Sequence, residues 1–343
     1  MQRDSHTDFH SRSFSSSATV WRFVVLGSLI LSTLVFFIAL VQTRTSAQGG
    51  GFTFALAVDQ RNFTGPGTYD TPAYFRGALE AINRLGPTAF LVSPGDVDPP
   101  ADSKWTIEQY LGADYPWYPG VGNHETETPE DMANLRSYDY DSNGAGVEPD
   151  IVNRGPSGCP STTYSFDYRN VHFAMLNVYC DVSGDNLGDG DITDHLYNWL
   201  AADLAATAKP FIFVMGHEPA YPQPDEDNGR LRHSGDSLDA YPEHRDRFWN
   251  LLKAEGVLAY ITGHTHNYSA VKVNGVWQID GGHARGNGDT GAPSTFVLIH
   301  VNRDTVTFDA YREIFAGDWD YDDIIHHGHI YPSAATYLPF PKG

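Results

Sequence analysis

Apolar residues come in short runs that stop at polar, glycine-containing loops, and the pattern recurs along the chain. Residues 52–58 read Phe-Thr-Phe-Ala-Leu-Ala-Val, a buried-strand pattern, and Asp59 opens the loop after it. Thr71-Pro72 predicts a helix start, with threonine as cap and proline in the first turn. Phe75, Ala78, Leu79 and Ile82 follow at helical spacing, and Gly86 marks the stop. Residues 89–92 form a second strand pattern, after which comes Gly95-Asp96. Strand, loop, helix and strand in this order predict a βαβ unit. Open α/β sheets place their ligands beyond the carboxyl ends of such strands.

The middle is less regular. Residues 111–122 are aromatic and proline-containing and end at Asn123-His124, and residues 139–160 read as a long loop. Residues 164–168 alternate as a strand, Arg169-Asn170 makes a turn, and residues 171–178 return as the hairpin partner. Residues 181–194 hold five aspartates among glycines. They lack the glutamate of a helix-loop-helix calcium site. Turn chemistry is the better reading, with Thr193 or Asp194 capping a helix that carries Leu196, Trp199, Leu200 and Leu204. The strand-then-glycine pattern then repeats. Residues 211–215 end at Gly216-His217, residues 242–255 form a helix, and residues 257–262 end at Gly263-His264. Strand patterns at 268–273, 276–279, 295–301 and 306–312 complete the series, and His326, His327 and His329 read as a tail.

Composition changes this picture in three places. Residues 20–41 are almost unbroken apolar sequence after a stretch containing Arg3, Arg12 and Arg22. A run of that length can span a bilayer. It also resembles a secretory signal, with small residues at Thr45-Ser46-Ala47 for cleavage. Either way residues 1–47 form an anchor or signal, and residues 48–343 form one domain outside the cytoplasm, because positive charge stays inside. The formal net charge of -21 disfavours a nucleic-acid partner. It leaves phosphate substrates open, since bound cations reverse a local field. Only two cysteines occur, Cys159 and Cys180, and in an exported chain they predict a disulfide.

The candidate chemistry sits in the loops after the strands. Gly95-Asp96-Val97-Asp98, Gly122-Asn123-His124-Glu125, Gly216-His217-Glu218-Pro219 and Gly263-His264-Thr265-His266 each place metal-ligand side chains beside a glycine. Oxygen and nitrogen donors from four separate loops suit a binuclear hydrolytic centre. With Asp59-Gln60-Arg61, these blocks resemble the calcineurin-like metallophosphoesterase superfamily over residues 52–312. That family's order is D-x-H, GD-x-x-D, GNH-D/E, a lone His and GH-x-H.

The resemblance implies a four-layer αββα sandwich of two mixed β-sheets flanked by helices. It implies an enzyme that hydrolyses small phosphate mono- or diesters by metal-activated water, with one or two Mn, Fe or Zn ions per chain. Asp96 matches the bridging carboxylate. Asn123, His217 and His264 match the second metal's ligands, and Asp59 and His266 match the first metal's. His124 matches the residue that acts as general acid at the leaving group. Asp98 is a candidate to orient His124, one residue short of the family's partner carboxylate, where this chain has Pro99.

Arg61 departs from the pattern. The family has a histidine ligand there, and a guanidinium has no lone pair to give. Two outcomes follow: Arg61 clamps the phosphate beside a metal held by Asp59, Asp96, His266 and water, or it pairs with Asp59 and partly replaces that metal. Arg61 also favours the alternative function, a non-catalytic relative that binds ligands or partners at its surface. His283, in a glycine-rich stretch, is a weaker pocket candidate, and Arg230, Arg232 and His233 form a basic cluster that could read the substrate, with surface solvation the better reading.

Overall fold

The structure, a computed structural model, describes residues 50–61, 67–138, 151–285, 291–313, 321 and 323–331. All of them belong to one unit, Ser46–Gly343. The expected anchor or signal at 20–41 and residues 139–150 of the expected loop at 139–160 lie outside the described residues. Among those described, no helix is long and apolar enough to cross a membrane.

In chain order the elements are β1 (Phe52–Leu56), α1 (Phe75–Leu85), β2 (Leu91–Ser93), α2 (Pro100–Leu111), β3 (Trp117–Pro119), α3 (Asn123–Glu127) and α4 (Pro129–Arg136). They continue with β4 (Ile151–Arg154), β5 (Tyr164–Tyr168), β6 (Val171–Leu176), α5 (Asp194–Ala206), β7 (Phe211–Gly216), α6 (Pro242–Ala254) and β8 (Ala259–Thr262). Last come β9 (Tyr268–Val273), β10 (Val276–Gly281), β11 (Thr295–Val301), β12 (Val306–Arg312) and β13 (Ile324–Tyr331). Two mixed sheets result, in the orders β13-β12-β11-β1-β2-β3 and β4-β5-β6-β7-β8-β10-β9. Helices flank both, as the αββα expectation requires.

The period-two pattern of β1 explains the layering. Phe54, Leu56 and Val58 point into the seam between the sheets, whereas Ala55 and Ala57 pack in the other core cluster with Phe75 and Leu79 of α1. The seam is aromatic. Phe54 stacks on Phe90 at 5.4 Å and meets Phe173 and Phe213 edge-on at 5.2 and 5.5 Å.

Local chemistry departs from the sequence reading in four places. The helix expected from Thr71-Pro72 begins at Phe75. Thr71 instead accepts from Tyr74 N in a preceding turn, and the Pro72 carbonyl lies where a Cβ on Gly77 would stand. Helix α2 was not legible, because its buried residues Pro100, Ser103, Thr106 and Ile107 are mostly polar or breaking types. The expected loop at 139–160 contains strand β4, and the histidine tail is the edge strand β13, paired antiparallel with β12. Its three histidines disguise the alternation, and Gly328 leaves the space that the Phe308 ring fills.

One buried cluster sets a pH dependence. His172 on β6 donates to Asp167 at 2.7 Å and to Asp203 at 2.9 Å, and Asp203 also accepts from Asn153 and Ser165. Burial pulls the imidazole down, but the hydrogen bonds and charges of the two aspartates outweigh it and raise it to about 9. A histidine raised in the folded state stabilises fully below its unfolded value, about 6.5, and loses that contribution as pH rises through the folded value. The urea midpoint of the protein is therefore expected to fall between about pH 6.5 and pH 9. In His172→Gln this decline should be largely absent; an unchanged slope would assign it to other groups.

Candidate metal centre

All the candidate blocks sit at carboxyl ends of parallel strands. Asp59 follows β1, Gly95-Asp96 follows β2 and Asn123-His124 follows β3, with β1, β2 and β3 parallel. His217 follows β7 and His264 follows β8, also parallel neighbours. The two sheets thus aim their loops at one edge of the sandwich.

Backbone close to the limit of tolerance brings the ligands together. Asp59, Asp96, His264 and His266 have φ of 56, 51, 71 and 57°. Left-handed non-glycine residues cost about 1–3 kcal/mol each when strained and persist only where their surroundings fix them. The neighbouring glycines make room. A Cβ on Gly122 would stand 2.2 Å from Asp96 Oδ1, and one on Gly263 would stand 2.2 Å from Asp59 Oδ2.

Glu125, which the sequence reading gave no role, ties two of these loops together. Its buried carboxyl accepts from the backbone N–H groups of Asp96, Val97 and Gly122 at 3.0, 2.7 and 2.6 Å. Burial and the charges of Asp96 and Asp98 push it well above the carboxylate range. Its signal was the last letter of the GNH-D/E block.

The donor set of one half-site fits a cation. His217 Nδ1 lies 3.1 Å from the Pro94 carbonyl, which only accepts, so that nitrogen carries the ring proton. The bare Nε2 faces Asn123 Oδ1 at 3.2 Å and Asp96 Oδ1 at 3.3 Å. His264 repeats the arrangement in mirror form. Its Nε2 donates to the Asp236 carbonyl at 3.2 Å, leaving Nδ1 bare 3.2 Å from the same Asn123 Oδ1. Burial, chiefly, pulls both imidazoles down to about 3, so each keeps one proton at neutral pH. No proton lies between Asn123 Oδ1 and either of the bare ring nitrogens, or between His217 Nε2 and Asp96 Oδ1. A cation in their midst turns that repulsion into attraction, and backbone carbonyls behind the imidazoles fix the tautomers a ligand needs.

The other half-site is more mixed. Ligand atoms of Asp59, Asp96 and His266 lie within 4.8 Å of one another, close enough to share an ion. Asp59 accepts from His264 N at 3.0 and 3.2 Å and stands 3.5 Å from His266 Nε2. Burial, with the charges of Asp96 and Asp280, raises its carboxyl well above the usual range.

Arg61 reaches the site but pairs with Asp98, not with Asp59 as one sequence alternative had it. Its Nε donates to Asp98 Oδ1 at 3.2 Å and its Nη1 to His124 Nε2 at 2.7 Å. Asp98 therefore acts on His124 through Arg61. His124 Nδ1 faces Glu127 Oε2 at 3.3 Å, and its Nε2 lies 3.7 Å from Asp96 Oδ2. His283 is buried behind His266, the rings 5.8 Å apart. The cluster read as solvated is at the centre instead: Arg232 Nη1 donates to His266 Nδ1 at 2.6 Å, and the His233 ring lies 4.1 Å from that of His264.

The family model of the calcineurin-like phosphoesterases matches residues 64–268, more than half of the chain. The chain belongs to the calcineurin-like phosphoesterase family. The match begins after Asp59 and Arg61, so the departure at Arg61 lies in the part it leaves out. Two solved structures resemble this one. PhoD has a TM-score of 0.55 at 15% identity, over 79% of this chain and 67% of its own. The purple acid phosphatase PPD1 from yellow lupin (Lupinus luteus) has a TM-score of 0.52 at 15% identity, over 80% of this chain and 53% of its own. This chain thus spans about half of the lupin protein, and at such identity the likeness concerns the fold. No curated protein sequence matches the chain.

Proposed function

We propose that the chain is an exported metal-dependent phosphoesterase that hydrolyses small phosphate mono- or diesters. The convergence of Asn123 Oδ1, His217 Nε2, His264 Nδ1 and Asp96 Oδ1 carries this reading. Those groups would hold Mn, Fe or Zn, all of which accept imidazole and oxygen donors. A bound ion of this kind supplies Lewis-acid charge to a phosphoryl oxygen and lowers the pKa of water. The disulfide between Cys159 and Cys180 supports export, as does the apolar run at 20–41.

The chain's own residues complete the site. Arg61 presents a guanidinium, whose planar donors suit phosphate oxygens. It donates to His124 Nε2, so that nitrogen carries no proton in this arrangement. A phosphate ester that draws Arg61 onto its own oxygens frees the Nε2 lone pair to take a proton from water and pass it to the leaving-group oxygen. Arg61 is then both a substrate clamp and the switch that arms His124.

Two variants test this. His124→Ala should keep its metal and lose about 10²–10⁴-fold in turnover on alkyl phosphates, and less on aryl phosphates, whose leaving groups need less protonation. Arg61→Ala should raise KM more than it lowers kcat. Equal loss on both substrate classes in His124→Ala would count against the acid role. The same hydrogen bond supports a second reading, in which Arg61 silences His124 in a non-catalytic binding protein. Metal-loaded protein with no turnover on either class would select it.

A further inference from the structure

The geometry points to a centre that holds one ion tightly, with Arg232 keeping the second position closed through His266. The inference rests on the metal-dependent reading above and concerns only how many ions the site takes.

Three observations carry it. Arg232 Nη1 lies 2.6 Å from His266 Nδ1, and a guanidinium only donates. Nδ1 must therefore accept, and the ring proton sits on Nε2. That is the nitrogen turned toward Asp59, with Oδ1 at 3.5 Å. His266 thus offers an N–H where an ion would need a lone pair. Coordination there would require either an imidazolate or the departure of Arg232.

The second observation is Arg61, which stands two residues after Asp59 and is engaged with Asp98 and His124. A guanidinium has no lone pair, so Arg61 gives this half-site no donor. Among the described residues around it, Asp59 and Asp96 supply the carboxyl oxygens. Two carboxylates with no third protein donor make a weak site even for Mn(II), which accepts carboxylate oxygens.

Third, Arg232 is built into place. Its Nη2 meets His233 Nε2 at 3.2 Å, and His233 in turn packs against His264. Arg230 braces the same turn, donating to Asn267 Oδ1 at 2.8 Å and to the His266 carbonyl at 3.3 Å. The segment that carries Arg232 therefore touches both halves of the centre.

Manganese stoichiometry decides the matter. The full chain and its Arg232→Met and Arg232→Ala variants are dialysed against one Mn(II) buffer and read by elemental analysis and electron spin resonance. The unmodified protein should hold about one ion per chain, with the spectrum of an isolated Mn(II). The variants should take up about two and show spin coupling between neighbouring ions. Arg232→Met combined with His266→Ala should return to about one. Two ions in the unmodified protein would overturn the inference. So would variants that remain at one ion while their circular dichroism stays native. An unmodified protein that holds no ion would overturn the metal-dependent reading itself.

Discussion

Asp96→Ala is expected to strip metal from the protein and to lower phosphoesterase turnover by about 10²–10³-fold or more, the cost of losing one group that stabilises developing charge. Asp96 is the carboxylate shared by the two half-sites. Its Oδ1 lies 3.3 Å from His217 Nε2 and accepts from His124 N at 3.2 Å, and its ligand atoms are within reach of Asp59 and His266. Without it, Asn123, His217 and His264 keep three donors but lose their anionic partner. The backbone complicates the variant, because φ at this residue is 51° and alanine is less tolerant there than aspartate. Asp96→Gly separates the effects: it removes the carboxylate without the Cβ penalty. Both variants should lose metal, while Asp96→Gly should melt closer to the unmodified protein. Full metal content and activity in Asp96→Gly would show that the centre is wrongly assigned.

Loss of the Cys159–Cys180 disulfide has the largest expected effect on stability. The bridge spans a sequence separation of 21 with the Cα atoms 6.1 Å apart, and it closes the end of the β5–β6 hairpin. Releasing a loop of this size from the unfolded chain costs about 3 kcal/mol by the chain-entropy argument. Neighbouring contacts soften the local consequence. Asn177 Nδ2 donates to Thr162 Oγ1 and to the Asp185 carbonyl, and Arg136 grips Asp185. The native arrangement should survive, so Cys159→Ser with Cys180→Ser should bind metal normally yet unfold at clearly lower denaturant. An unchanged midpoint would mean that these contacts already hold the unfolded ensemble's loop closed.

The two predictions probe different layers of the same chain. The first acts where strained backbone is held by the sandwich. The second acts at the rim, where small local contacts need a covalent tie. The strain is concentrated: four candidate ligands occupy left-handed backbone, and each is fixed by a partner distant in sequence. Asp59 and His264, whose backbone N–H it accepts, are 205 residues apart.

Much of this was legible from residue order. Apolar runs that stop at Gly95-Asp96, Gly122-Asn123-His124, Gly216-His217 and Gly263-His264 identify strands with ligands at their ends, because strand burial and loop polarity are local properties. The four-layer class came with the family those blocks resemble, and so did the departure at Arg61. Helix α2 and strand β13 did not, because the apolar pattern is weak in both and their form depends on neighbours. The alternation in β13 is broken by His326, His327 and His329, and its pairing with β12 supplies what the pattern lacks.

By itself, then, the sequence determined which candidate donors this protein carries after its strands and in which order along the chain. Only the tertiary structure decided how those donors are protonated. Pro94 and Asp236 carbonyls strip one nitrogen each of His217 and His264 for a cation, whereas Arg232, 34 residues before His266, turns that ring the other way. Ring tautomers depend on which hydrogen-bond partner the fold brings within 3 Å or so, and no spacing along the chain records that contact.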